Sequence, residues 1–236
     1  MSAPTFIHRF ETATAPGAAP LLLLHGTGGD EGDLLPLGRA IAPGAALLSP
    51  RGKVLEQGMP RFFRRLAEGV FDEDDVRRRA NELADFVDDA GTRYGLSAPI
   101  AVGYSNGANI AAAVMLLRPH ALSGAILLRA MVPLSAAPKA DLAARPVLIL
   151  SGAQDPLVPA ENAARLADVM RAAHAVVEHR VLRAGHGLSN ADVTIAREWL
   201  RKGKPECDSI KGPTRDDEVV VTPIHAQLHP LVKRHT

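Results

Sequence analysis

The chain predicts an α/β fold: a mostly parallel central sheet with helices on both faces and no separate cap domain. Three features carry this. Short apolar runs alternate with segments of helical periodicity. The runs are continuously apolar, as strands buried on both faces must be. No insertion is long enough to form a second domain, and 236 residues suit a single one.

Taken in order, residues 20–24 form an apolar run that stops at His25-Gly26-Thr27-Gly28-Gly29, a strand closed by glycines. Asp30 and Asp33 then stand where a helix N-cap and first-turn acid belong, ahead of a helix through Ala42. Residues 45–49 are a second strand, closed by Pro50, and residues 50–71 read as an excursion. Residues 72–94 make a helix, with acids Asp72 to Asp75 first and Val76, Ala80, Leu83, Phe86 and Val87 at helical spacing. Further strands fall at 99–104, 124–128, 147–150 and 176–182, and helices at 106–117, 159–173 and 189–201. Residues 203–236 lose the pattern, so one domain is expected to span 1–202, followed by an atypical extension. In parallel sheets of this kind ligands bind beyond the carboxyl ends of the strands, so the site residues should sit there.

Composition narrows the function classes. Twenty-seven basic and twenty-six acidic residues give a net charge of +1, which removes the simplest case for nucleic acid or an anionic membrane. The single cysteine, Cys207, excludes an internal disulfide and a multi-cysteine metal cluster, and neither metal nor cofactor is expected. The first residues lack a basic-then-apolar leader. The apolar run at 18–24 is too short for stable membrane insertion, which takes ~20 residues. A cytoplasmic protein is expected.

Gly103-Tyr104-Ser105-Asn106-Gly107 joins a strand to an alanine-rich helix. A serine at the apex of so sharp a turn has a strained backbone, and glycines two positions away relieve crowding. The helix that follows directs its positive end, and the amide of Asn106, toward a developing oxyanion. A serine hydroxyl needs a base, and nine histidines compete. His186, in Ala184-Gly185-His186-Gly187 after the last strand, is the candidate, because the expected chain order is serine, acid, histidine. Asp155 follows the strand at 147–150 in a turn stiffened by Pro156 and Pro159, and would orient the imidazole. The second oxyanion donor falls to Thr27 in the glycine-rich loop after the first strand. That loop lacks the lysine and spacing of a nucleotide-binding loop. Met59, Phe62 and Phe63 in the excursion are candidates to wall an acyl pocket, with both phenylalanines equally readable as core. Met131 should border the same site, while Arg61, Arg64 and Arg65 read as a solvated basic face or, second, as contacts to an anionic substrate.

These motifs resemble the phospholipase/carboxylesterase branch of the α/β-hydrolases, which includes bacterial carboxylesterases and acyl-protein thioesterases. The resemblance runs over residues 20–200, through the segments at 24–30, 103–107, 152–159 and 185–188. It implies a Ser105–Asp155–His186 triad with Thr27 and Asn106 at the oxyanion positions. Asn106 stands where many thioesterase relatives carry glutamine. Such relatives are often dimers, which leaves a homodimer open. The expected activity is hydrolysis of a small short- to medium-chain carboxylic ester through an acyl-enzyme. Two other readings stay open: an acyl thioesterase or lysophospholipase using the same triad, and a non-catalytic ligand-binding protein on a hydrolase scaffold.

Overall fold

The computed structural model describes residues 6–136 and 138–202, so the extension at 203–236, with Cys207, lies outside the described residues. The strands are β1 (His8–Glu11), β2 (Leu21–Leu24), β3 (Leu47–Pro50), β4 (Val54–Glu56), β5 (Met59–Arg61), β6 (Arg65–Ala67), β7 (Val70–Phe71), β8 (Ile100–Tyr104), β9 (Gly124–Leu128), β10 (Pro146–Gly152) and β11 (Val176–Leu182). The helices are α1 (Leu35–Ile41), α2 (Glu73–Tyr94), α3 (Asn106–Leu117), α4 (Ala160–Ala172) and α5 (Asn190–Lys202). Seven strands form the central sheet in the order β1-β3-β2-β8-β9-β10-β11. All neighbours run parallel except β1, which pairs antiparallel with β3.

The strands alternate their side chains between two cores. Leu22, Leu24, Ala101, Leu127 and Ile149 face one, with Val76 of α2, Ile110 of α3 and Leu166 of α4. Leu21, Leu23, Val102, Ile126 and Leu148 face the other, with Ile41 of α1 and Ala196 of α5. Burial on both faces explains why β2 reads as an unbroken apolar run.

One expectation is corrected. Asp30 and Asp33 do not cap α1, which begins at Leu35 without a side-chain cap. Pro36 decides this, because a residue lacking an N–H fits only the first turn. The Asp30 carboxylate instead accepts the Gly32 N–H at 2.6 Å. The excursion at 50–71, for which no regular structure was expected, folds into two small hairpins outside the central sheet, β4–β5 and β6–β7. Helix α2 forms as expected, with the Asp72 side chain accepting the Asp75 N–H and left-handed Gly95 closing the other end.

The chain reverses its direction of travel across the sheet between β2 and β8, the place where α/β sheets open a crevice. At that crevice the first turn of α3 lies almost against β2. A Cβ on Gly107 would stand 2.0 Å from the Leu24 carbonyl oxygen, and one on Gly103 would stand 2.5 Å from the Gly107 oxygen. Gly107→Ala is therefore expected to destabilise the protein by about 3 kcal/mol or more, because backbone must shift. Gly187→Ala, where a Cβ would meet nothing within 4 Å, should leave the melting temperature almost unchanged. Thermal unfolding of the two variants checks this contrast.

Candidate active site

Ser105 sits at the apex between β8 and α3 with φ 51° and ψ −114°, a backbone that L-residues seldom adopt. Two neighbours hold it there. The Ser105 N–H donates to the Leu128 carbonyl at 2.8 Å, and the Ser105 carbonyl accepts the Asn109 N–H at 3.0 Å. The sequence signature thus marks a strained turn fixed from both sides.

The structure brings the three predicted side chains together. The Ser105 hydroxyl lies 3.0 Å from His186 Nε2. On the far side of the ring, His186 Nδ1 lies 2.9 Å and 3.1 Å from the two Asp155 carboxylate oxygens. Asp155 is fully buried at its side chain, and its Oδ1 also accepts the N–H groups of Leu157 and Val158 at 2.9 and 3.1 Å. The turn expected from Pro156 and Pro159 therefore holds the carboxylate by two amides. Such a chain can take a proton from a hydroxyl onto an imidazole whose tautomer the carboxylate fixes.

Thr27 and Asn106 flank this line. Among the described residues, neither backbone N–H has a hydrogen-bond partner. His25 explains the orientation of the first. Its Nε2 accepts the Gly52 N–H at 2.9 Å, so the proton is on Nδ1, which donates to the Gly26 carbonyl at 2.7 Å. Tying down that carbonyl fixes the planar peptide whose other end is the Thr27 N–H. His25 is 1% exposed, and burial pushes its pKa down, the Gly26 hydrogen bond acting against that.

Residues 8–203 match the family model for phospholipase/carboxylesterase. The chain belongs to the phospholipase/carboxylesterase family. A protein of Bacillus subtilis (strain 168) named "Putative hydrolase MhqD" is 47% identical over 197 residues, covering 83% of this chain and 98% of the relative. The structure of a Bacillus cereus carboxylesterase is 44% identical with a TM-score of 0.81, covering 84% of this chain and 94% of that one. A Mesorhizobium loti carboxylesterase is 35% identical with a TM-score of 0.79, covering 83% and 94%. The protein is a hydrolase of the α/β-hydrolase fold.

In this family member the β4–β5 hairpin and the residue after it strap both the Thr27–Gly28 turn and Asn106. Pro60 accepts the Gly28 N–H at 2.9 Å, Arg61 donates to the Thr27 hydroxyl at 2.8 Å, and the Phe62 N–H donates to the Asn106 side chain at 2.7 Å. Met59 is 39% exposed and lies over Gly28, where a Cβ would stand 3.6 Å from its sulfur. Met131 is half-buried, its N–H held by Asn109 at 2.8 Å, and its methyl would lie 3.6 Å from a Cβ on Gly69.

Two pocket expectations are corrected. Phe62 and Phe63 are 3% and 0% exposed and pack in the core, so they back the site instead of lining it. Arg61 is neither a solvated charge nor a free anion contact. It is 3% exposed, ion-paired to Glu56 at 3.2 Å and bonded to the Phe63 carbonyl and to Thr27. Arg64 and Arg65 pair with Asp72, Glu56 and Glu68. Sequence reasoning missed Arg129, Asp192 and Tyr104, all of which bear on the His186 loop. Asp192 had a signal: Ser189 and Asp192 stand at N-cap and N3 of α5, the spacing of a capping box.

No described helix is long and apolar enough to cross a membrane, and no described cluster of side chains could hold a metal.

His25 gives a pH prediction. Its folded pKa lies below the ordinary histidine value of ~6.5, so the unfolded chain binds the proton more readily. The stability that His25 contributes is present above ~6.5 and is lost as pH falls below it. Wild type should therefore be more stable than His25→Gln at pH 7, with the gap narrowing by pH 5, as read by denaturant unfolding.

Proposed function

We propose that the protein is a serine carboxylesterase acting on short- to medium-chain carboxylic esters. Ser105 Oγ attacks the ester carbonyl carbon while its proton passes to His186 Nε2. Asp155 holds the imidazolium that forms. The Thr27 and Asn106 amides receive the charge on the carbonyl oxygen. Collapse breaks the carbon–oxygen bond to the alcohol, which leaves with the His186 proton, and the acyl group stays on Ser105. Water then repeats the sequence, with His186 as base, and releases the acid.

The observation that carries this reading is the continuous hydrogen-bonded line from Ser105 Oγ through His186 to Asp155, beside two amides without partners among the described residues. Relatives that are 44% and 35% identical are carboxylesterases, which supports the ester class. An apolar acyl chain suits the rim, where Met59 and Leu157 are 39% and 44% exposed. A second reading is hydrolysis of acyl thioesters or lysophospholipids by the same triad; Leu55 and Leu66, 70% and 73% exposed on the hairpins, are apolar surface that suits a longer chain.

Rates on p-nitrophenyl butyrate, an acyl-CoA and lysophosphatidylcholine, measured side by side, separate these readings. The butyrate ester should be turned over fastest, and Ser105→Ala should lower kcat by about 10⁶-fold without unfolding the protein. Acyl-CoA in the lead would transfer the assignment to thioesters. Full activity in Ser105→Ala would remove the mechanism.

A further inference from the structure

The His186 loop has little regular structure of its own, yet four successive carbonyls in it are each held by a donor from elsewhere. Ala184 accepts from the Gln154 N–H at 3.0 Å, Gly185 from Arg129 Nε at 2.9 Å, His186 from the Tyr104 hydroxyl at 3.2 Å, and Gly187 from Arg129 Nη2 at 3.2 Å. Arg129 thus grips the peptide on either side of His186. Its position is itself fixed. It follows Leu128, whose carbonyl holds the Ser105 amide, and its own N–H donates to Leu150 at 2.9 Å.

The guanidinium is 0% exposed and makes a two-pronged pair with Asp192, at 2.8 and 3.0 Å. Asp192 is 1% exposed and also accepts the Ser189 N–H and hydroxyl at 2.7 and 2.8 Å, tying the pair to the start of α5. A buried ion pair is weak evidence for stability, because well-packed apolar residues commonly replace one at little or no cost. What apolar residues cannot replace is the reach to three backbone carbonyls, those of Leu150, Gly185 and Gly187.

We infer that Arg129, with Asp192 as its counter-charge, is a positioning residue that sets the distance and angle of the His186 imidazole between Ser105 and Asp155. This rests on the esterase reading for its effect on rate, but not for its effect on geometry. Arginine is required by shape. A lysine would keep the charge opposite Asp192, yet its single ammonium cannot place planar donors on the carbonyls of Gly185 and Gly187 together.

The test separates folding from positioning. Arg129→Met alone strands a buried carboxylate and is expected to fold poorly. The double variant Arg129→Met/Asp192→Leu removes both charges and should recover cooperative unfolding near the wild-type melting temperature. Its kcat on p-nitrophenyl butyrate should nonetheless stay about 10- to 100-fold low with KM little changed, since misplacing a catalytic group by an ångström costs that much. Arg129→Lys should show the same split, and it decides the matter if the double variant does not fold. A readout independent of turnover is the far-downfield proton resonance of an imidazole Nδ1–H held against a carboxylate, assigned by its absence in His186→Ala. It should be sharp in wild type and weakened or lost in both variants. A folded variant with wild-type kcat and an unchanged resonance would show that the pair only holds the fold. An unchanged resonance would overturn the inference even where no ester is turned over, so its failure is distinct from failure of the esterase reading.

Discussion

The close approach of the first turn of α3 to the end of β2 is the constraint on which the rest of the site depends. With no side chain at Gly103 or Gly107, strand, turn and helix pack backbone against backbone, and Ser105 is left at the apex with φ 51°. That conformation costs of order 1–3 kcal/mol and persists only where its surroundings over-determine it. Bonds from the Ser105 amide and carbonyl to β9 and α3 do so here. The same approach sets the loop after β2 beside the start of α3. The Thr27 and Asn106 amides, without partners among the described residues, are therefore neighbours of the serine as a consequence of one packing contact.

The other elements of the site are held by polar contacts that cross between loops. The carbonyls of residues 184–187, the Asp155 carboxylate and the Gly26 peptide each have donors from the protein itself. Site geometry fixed in this way does not have to reorganise when charge develops, which is the condition under which oriented dipoles accelerate a reaction most. Buried charge is the corresponding liability. Arg61, Asp75, Arg129 and Asp192 are all nearly without exposure, and each is paired or bonded in the structure.

Legibility in the sequence followed the range of the interaction. Strand and helix positions came through because burial on two faces and helical periodicity are local patterns, and α3, β9 and β11 have the expected limits. Ser105, Asp155 and His186 were legible because each sits in a short loop after a strand, with glycine or proline dictating its backbone. The start of α1 was misplaced because acids two and five residues ahead of Leu35 imitate a cap, while Pro36 alone fixes the first turn. Phe62, Phe63 and Arg61 could not be placed, since whether they face solvent depends on the β4–β5 hairpin and the residue after it folding back over Thr27 and Asn106. Arg129 was invisible for a similar reason. Its partners at Gly185, Gly187 and Asp192 lie 56 to 63 residues away, and no spacing rule connects them.

Whether Ser105 is the residue that becomes acylated can be read directly by mass spectrometry after exposure to a fluorophosphonate. One adduct per chain, mapped to the peptide that contains Ser105 and absent from Ser105→Ala, is the expected result. An adduct at another residue, or one that persists undiminished in Ser105→Ala, would contradict the assignment and with it the roles given to His186 and Asp155.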